Sequence, residues 1–146
     1  MKKEDILLLY IYLPVKEPNI VSPIQIMKGL FIFSKEMEIE NFYEFEPYLY
    51  GPCSFEVYDH LHYLVKNRLV TTIRSILSSW SYYKTTPLGN EKCKQIIQSI
   101  EPKIVKKLKE VKSFVVNKSF IDLLCYIYEK YPEYAVKSII DIRGIK

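Results

Sequence analysis

The chain has little of what phosphate-loop, metal and disulfide chemistry requires. Of its 146 residues only four are glycine, Gly29, Gly51, Gly89 and Gly144, and none are neighbours, which excludes a glycine-rich loop cradling phosphates. The three cysteines, Cys53, Cys93 and Cys125, are odd in number and widely spaced, so they read as reduced structural thiols and not as a disulfide framework or a zinc site. There are two histidines, His60 and His62, and they stand two residues apart, about 200° around a helix, where a helical metal pair needs i, i+4 spacing. No apolar run approaches the roughly 18 residues that span a bilayer. Lys2 and Lys3 resemble the start of a signal peptide, yet Glu4 and Asp5 oppose it and no small-residue cleavage site follows. The expectation is a cytoplasmic protein with no membrane contact. Nothing positions the acidic pairs Glu38 and Glu40 or Glu44 and Glu46 as general acid and base. These absences point to a binding protein rather than an enzyme, with no cofactor and no metal.

What is present suits one folded domain. At 49% hydrophobic and 26% charged residues the chain can bury a single core. Its net charge of +4 hides an asymmetry: residues 1–60 carry net −5 and residues 61–146 carry net +9. A polyanion would meet the second half.

The organising stretch is residues 50–70. Gly51 and Pro52 break the chain, Ser54 is placed as a helix N-cap, and Val57, Leu61, Leu64 and Val65 then fall on one helical face, with Glu56, Asp59, Tyr63 and Lys66 on the other. The β-branched segment 69–73, a turn at 76–79 and the aromatic segment 80–85 follow as a hairpin. Upstream, residues 4–13 are apolar nearly all round and predict a helix buried on most sides, ended by Pro14. Ser22 and Pro23 open a second helix running to Glu36 or Met37. The acidic, aromatic residues 38–50 predict a short extended segment at the core edge. Downstream, Thr86 and Pro87 open a helix; residues 103–115 form an amphipathic one whose polar side is assigned Lys103, Lys106, Lys107, Lys109 and Lys112. Residues 120–130 form a last apolar helix, and 135–142 a short terminal turn or helix.

The sharpest functional signal is basic. Between Lys66 and Lys84 the charged residues are Lys66, Arg68, Arg74 and Lys84, with no acid among them. Cations on a hairpin beside an exposed helix can neutralise phosphates while the helix lies in a groove.

Two resemblances carry this further. Leu61, Leu64, Asn67, Arg68, Leu69 and Val70, then Tyr82-Tyr83-Lys84-Thr85-Thr86 and Pro87-Leu88-Gly89, resemble the recognition helix, wing and L-T-x-x-G signature of winged-helix regulators of the PadR and MarR type. That resemblance implies double-stranded DNA as partner, with Ser54, Phe55, Tyr58, Asp59 and His62 reaching bases and Arg68, Arg74 and Lys84 reaching phosphates. A longer span, from about Ile6 to Tyr134, resembles the YwgA-like family and the related Panacea (SocA-like) antitoxin domains. The residues are Phe45-Glu46-Pro47-Tyr48-Leu49-Tyr50-Gly51-Pro52-Cys53-Ser54, Val57-Tyr58-Asp59 and Tyr126-Ile127-Tyr128-Glu129-Lys130-Tyr131-Pro132-Glu133. It implies a module that acts through protein contacts, here including the segment 38–50. The chain departs from a helix-turn-helix in one respect: more than a dozen residues separate Met37 from Ser54, where that motif uses three or four.

The expected fold is mainly α with a small β-hairpin, a winged helix-turn-helix variant with additional C-terminal helices. One winged-helix-like domain should cover residues 1–146, with the helical extension from about residue 101 serving as a homodimer contact. The expected function is a DNA-binding transcriptional regulator; the alternative is a protein-interaction module, antitoxin-like or adaptor-like, without DNA binding.

Overall fold

A computed structural model describes residues 1–140; the last part of the expected terminal turn, 141–142, lies outside the described residues. The fold is mainly helical with two small antiparallel hairpins. Helix α1 (Lys3–Tyr12) is its centre. Residues Ile6 through Ile11 are all fully buried, because α1 is enclosed by helices α2 (Pro23–Met37), α3 (Phe55–Lys66), α4 (Pro87–Ser99) and α5 (Pro102–Val116) and by a strand of the second hairpin. A helix apolar on every side is stable only when surrounded, and here it is.

Helix α2 begins with the reciprocal cap its sequence announces: Gln25 N–H donates to Ser22 Oγ, and Ser22 N–H donates to Gln25 Oε1. It packs along α5. The segment that follows holds strands β1 (Glu46–Tyr48) and β2 (Gly51–Cys53), a hairpin closed by Leu49 and Tyr50. Thus the long connection before α3 is a built element, whose strand β2 is buried against α2 and helix α6 (Phe120–Lys130). After α3, strands β3 (Val70–Arg74) and β4 (Ser81–Thr85) pair in register from Val70 with Thr85 to Arg74 with Ser81. Val21, just before α2, bridges Tyr83 and adds a one-residue third edge to this hairpin. The cap of α4 forms as expected, Thr86 Oγ1 accepting from Gly89 N–H, and α6 is capped by Ser119 Oγ, which accepts from Asp122 N–H. Pro132–Tyr134 is a 3-10 turn.

One residue departs from its expected solvent position. Lys112, assigned to the solvated side of α5, is buried. Its ammonium reaches the end of α1, donating to the carbonyls of Ile11 (2.9 Å) and Leu13 (2.6 Å) and to Asn19 Oδ1 (2.8 Å). The open carbonyls at a helix C-terminus attract a cation, and the three ammonium hydrogens match three acceptors. Lys28 is its counterpart on α2, buried and donating to the Pro52 carbonyl (2.8 Å), so it ties α2 to the first hairpin.

Neither ammonium has a carboxylate partner among the described residues, and burial pulls Lys112 down to about 7 and Lys28 to about 8. A lysine with a depressed folded-state pKa binds fewer protons folded than unfolded, so stability rises with pH above that folded value, up to the unfolded value near 10.4. The opposing thiol of Cys93, pushed up by burial to about 12, costs stability only above its unfolded range near 8.5 to 9. Urea unfolding should therefore give a stability higher at pH 8.5 than at pH 7, by on the order of 1–2 kcal/mol. Lys112→Met should flatten most of this rise; an unchanged slope would show that Lys112 stays charged throughout.

Candidate functional site

The expected contact residues lie on α3 and the β3–β4 hairpin. Helix α3 turns Val57, Leu61 and Leu64 inward and leaves Phe55, Tyr58, Asp59, His62, Tyr63 and Lys66 exposed. Ser54 is different. It does occupy the N-cap position, but only 4% of it is exposed, its hydroxyl makes no cap bond, and its N–H donates to Met27 Sδ. The buried strand β2 delivers Ser54 into the core edge, so its side chain is not presented with the others.

Glu56 on the same helix is held by Lys3 at 2.7 Å, which offsets part of its charge. Asp59 makes no ion pair among the described residues. The α3 surface therefore mixes carboxylates with aromatic rings. Phe55 packs edge-on against Tyr48 of the first hairpin (5.3 Å between centroids) and lies beside Tyr58 (6.5 Å). Tyr48, Leu49, Tyr50, Phe55 and Tyr58 are all substantially exposed. This aromatic ladder was not foreseen as one surface, because Tyr48 and Phe55 belong to different elements that only the β1–β2 turn-back brings together.

The four cations Lys66, Arg68, Arg74 and Lys84 are exposed, and none makes an ion pair among the described residues. The contrast with Lys3, Lys92, Lys94, Lys103 and Lys107 is direct, since each of those has a carboxylate within 4.0 Å. Lys66 ends α3. Arg68 has a left-handed backbone (φ 61°) at the turn into β3, and its carbonyl accepts from Thr86 Oγ1 at 2.6 Å. That bond joins the end of α3 to the start of α4.

The hairpin does not gather its cations on one face. Side chains alternate along a strand, and the register pairs Arg74 with Ser81 and Lys84 with Thr71. Arg74 shares its face with Thr72 and Tyr83, Lys84 with Thr71 and Tyr82. The two charges therefore stand on opposite faces, one at the tip end and one near the base.

His60 joins a polar bracket that links three segments. Tyr43 Oη lies 2.7 Å from His60 Nδ1, while Nε2 faces Glu4 (3.8 Å) and Glu56 (4.0 Å). Burial, with the nearby Glu4 and Glu56 charges, pushes the Tyr43 phenol well above its ordinary range, so it keeps its proton beside His60. Among the described residues no three metal-ligating side chains come together, and no helix is long and apolar enough to cross a membrane. Compared with protein-family models and with curated proteins, the chain matches none.

Proposed function

We propose that this chain is a nucleic-acid-binding module of the winged-helix type, a transcriptional regulator that docks on duplex DNA through α3 and the β3–β4 hairpin. One observation carries the reading: Lys66, Arg68, Arg74 and Lys84 are exposed and unpaired on one helix end and one hairpin, with no acid between them in sequence. Charges without a protein partner are available to phosphates, whose counterions they displace. The element order supports it, with α1, the Val21 edge, α2, α3 and then the β3–β4 hairpin, the β1–β2 hairpin being inserted between α2 and α3. Because Arg74 and Lys84 face opposite ways, the hairpin meets DNA edge-on in a groove, with phosphates of both strands beside it. Phe55, Tyr58, Asp59 and His62 are the side chains of α3 offered to bases; a carboxylate such as Asp59 accepts from cytosine. The exposed rings of Phe114 and Phe120 on the C-terminal helices are offered for homodimer contact.

The test is fluorescence anisotropy with duplex DNA at two salt concentrations. Native protein should bind more weakly at the higher salt. The variant Arg68→Glu/Arg74→Glu/Lys84→Glu, folded by circular dichroism, should lose at least about ten-fold in affinity, since three phosphate contacts contribute about 2.7 to the log–log salt slope. Binding absent at low salt would overturn the proposal.

That outcome would favour a second reading, a protein-interaction module. The exposed ladder Tyr48, Phe55 and Tyr58, continuous with Leu49 and Tyr50, supports it, because clustered aromatic surface is characteristic of protein interfaces. The resemblance to Panacea domains points the same way.

A further inference from the structure

Between the β3–β4 hairpin and α6 lies a groove of about 580 Å³. Its walls come from four places: Pro23 and Ile24 at the start of α2, Tyr50 at the turn of the first hairpin, Trp80 and Tyr82 on the second, and Phe120 at the start of α6. The volume is within the range of small-molecule sites. Trp80 and Phe120 keep 48% and 37% of their surface exposed, so a flat apolar body has aromatic faces and edges to pack against.

The charges around the groove have one sign. Among the described residues no carboxylate lines it, and Lys118 is its one charged side chain. Lys118 makes no ion pair among the described residues, and its Nζ rests 4.7 Å from the Phe114 ring centre. The first turn of α2 adds the positive end of a helix dipole. Ser22 and Gln25 also line the groove, with Ser22 Oγ and Gln25 Oε1 engaged in the α2 cap. We infer that this groove binds a small organic anion with a flat apolar body, its charged group at Lys118 and its body between Trp80, Tyr82 and Phe120.

The inference does not depend on DNA binding and is tested without it. Isothermal titration with 2-naphthoate and with its neutral analogue 2-naphthylmethanol would be paired with the fluorescence of Trp80, the chain's single tryptophan. The expected result is saturable one-site binding of the naphthoate, about ten-fold tighter than the alcohol, with a change in Trp80 emission. Lys118→Gln, at a partly exposed site, should bring the naphthoate down to the level of the alcohol. Phe120→Asp, which places a carboxylate in the groove, should weaken the naphthoate more than the alcohol. Both variants would be checked for native circular dichroism. No saturable binding at millimolar naphthoate, equal binding of the two probes, binding that leaves Trp80 emission unchanged, or an anion preference that survives Lys118→Gln would each overturn the assignment.

Discussion

Gly89→Ala should destabilise the protein by about 3 kcal/mol, although alanine is the better helix former by about 1 kcal/mol in a helix interior. Gly89 lies in the first turn of α4, and a methyl group there would overlap the backbone carbonyl oxygen of Leu69. A clash with a flexible side-chain end relaxes cheaply, but this oxygen has no such freedom: it accepts from Thr86 N–H at 3.1 Å. Nearby, Arg68 O accepts from Thr86 Oγ1, so relief of the overlap must pull α4 from the junction of α3 and β3. Urea unfolding would measure the loss, and a variant within 1 kcal/mol of native would mean that the two backbones are not in close contact. The same displacement shifts Arg68, so the variant should also bind DNA more weakly if the proposed interface is right.

Phe31→Ala should cost about 3–5 kcal/mol, the range for deleting a large buried ring. Phe31 is fully buried on α2, and three rings meet it edge-on: Phe45 at 5.5 Å, Tyr131 at 5.2 Å and Tyr134 at 4.7 Å between centroids. Those partners come from the connection before β1, the end of α6 and the 3-10 turn. Removing Phe31 therefore leaves a cavity and loosens the segment after α6, while α1 keeps its enclosure by α3 and α4. The two effects separate experimentally. Urea unfolding reads the first, and hydrogen exchange should show greater loss of protection after residue 130 than in α1. Equal loss in both would indicate that the cluster supports the whole core rather than its C-terminal edge.

Much of the helical plan was legible before any coordinates. The apolar circumference of residues 6–11 identified a surrounded helix, Ser22-Pro23 and Thr86-Pro87 marked two helix starts, and Val57, Leu61 and Leu64 marked the buried side of α3. Each signal is local, a matter of period or cap chemistry within a few residues. Lys112 is assigned to the solvated side by charge alone, against its position in the helix. It follows Leu108 by four residues and precedes Val115 by three, which puts it on the apolar face of α5, and Lys28 stands likewise beside Met27 and three residues before Phe31. A lysine on an apolar face signals a buried ammonium only when carbonyls converge on it, and the end of α1 is 99 residues away from Lys112 in sequence.

The site divides along the same line. Composition alone identified the acid-free stretch from Lys66 to Lys84, and its β-branched and aromatic residues placed its strands. That Ser54 is buried, that Tyr48 packs edge-on against Phe55, and that the cleft beside Trp80 is lined by Phe120 are facts of assembly. What the sequence determined by itself was which segments are helix, where most of them start, and which apolar residues each helix buries, since short-range sterics and hydrophobic period decide those; strand β2, at the Gly51-Pro52 break, was not among them. Only the tertiary structure decided which exposed side chains share a surface, that Arg74 and Lys84 face apart, and that two lysines lie inside. These depend on strand register and on contacts between residues far apart in the chain, where no local propensity acts.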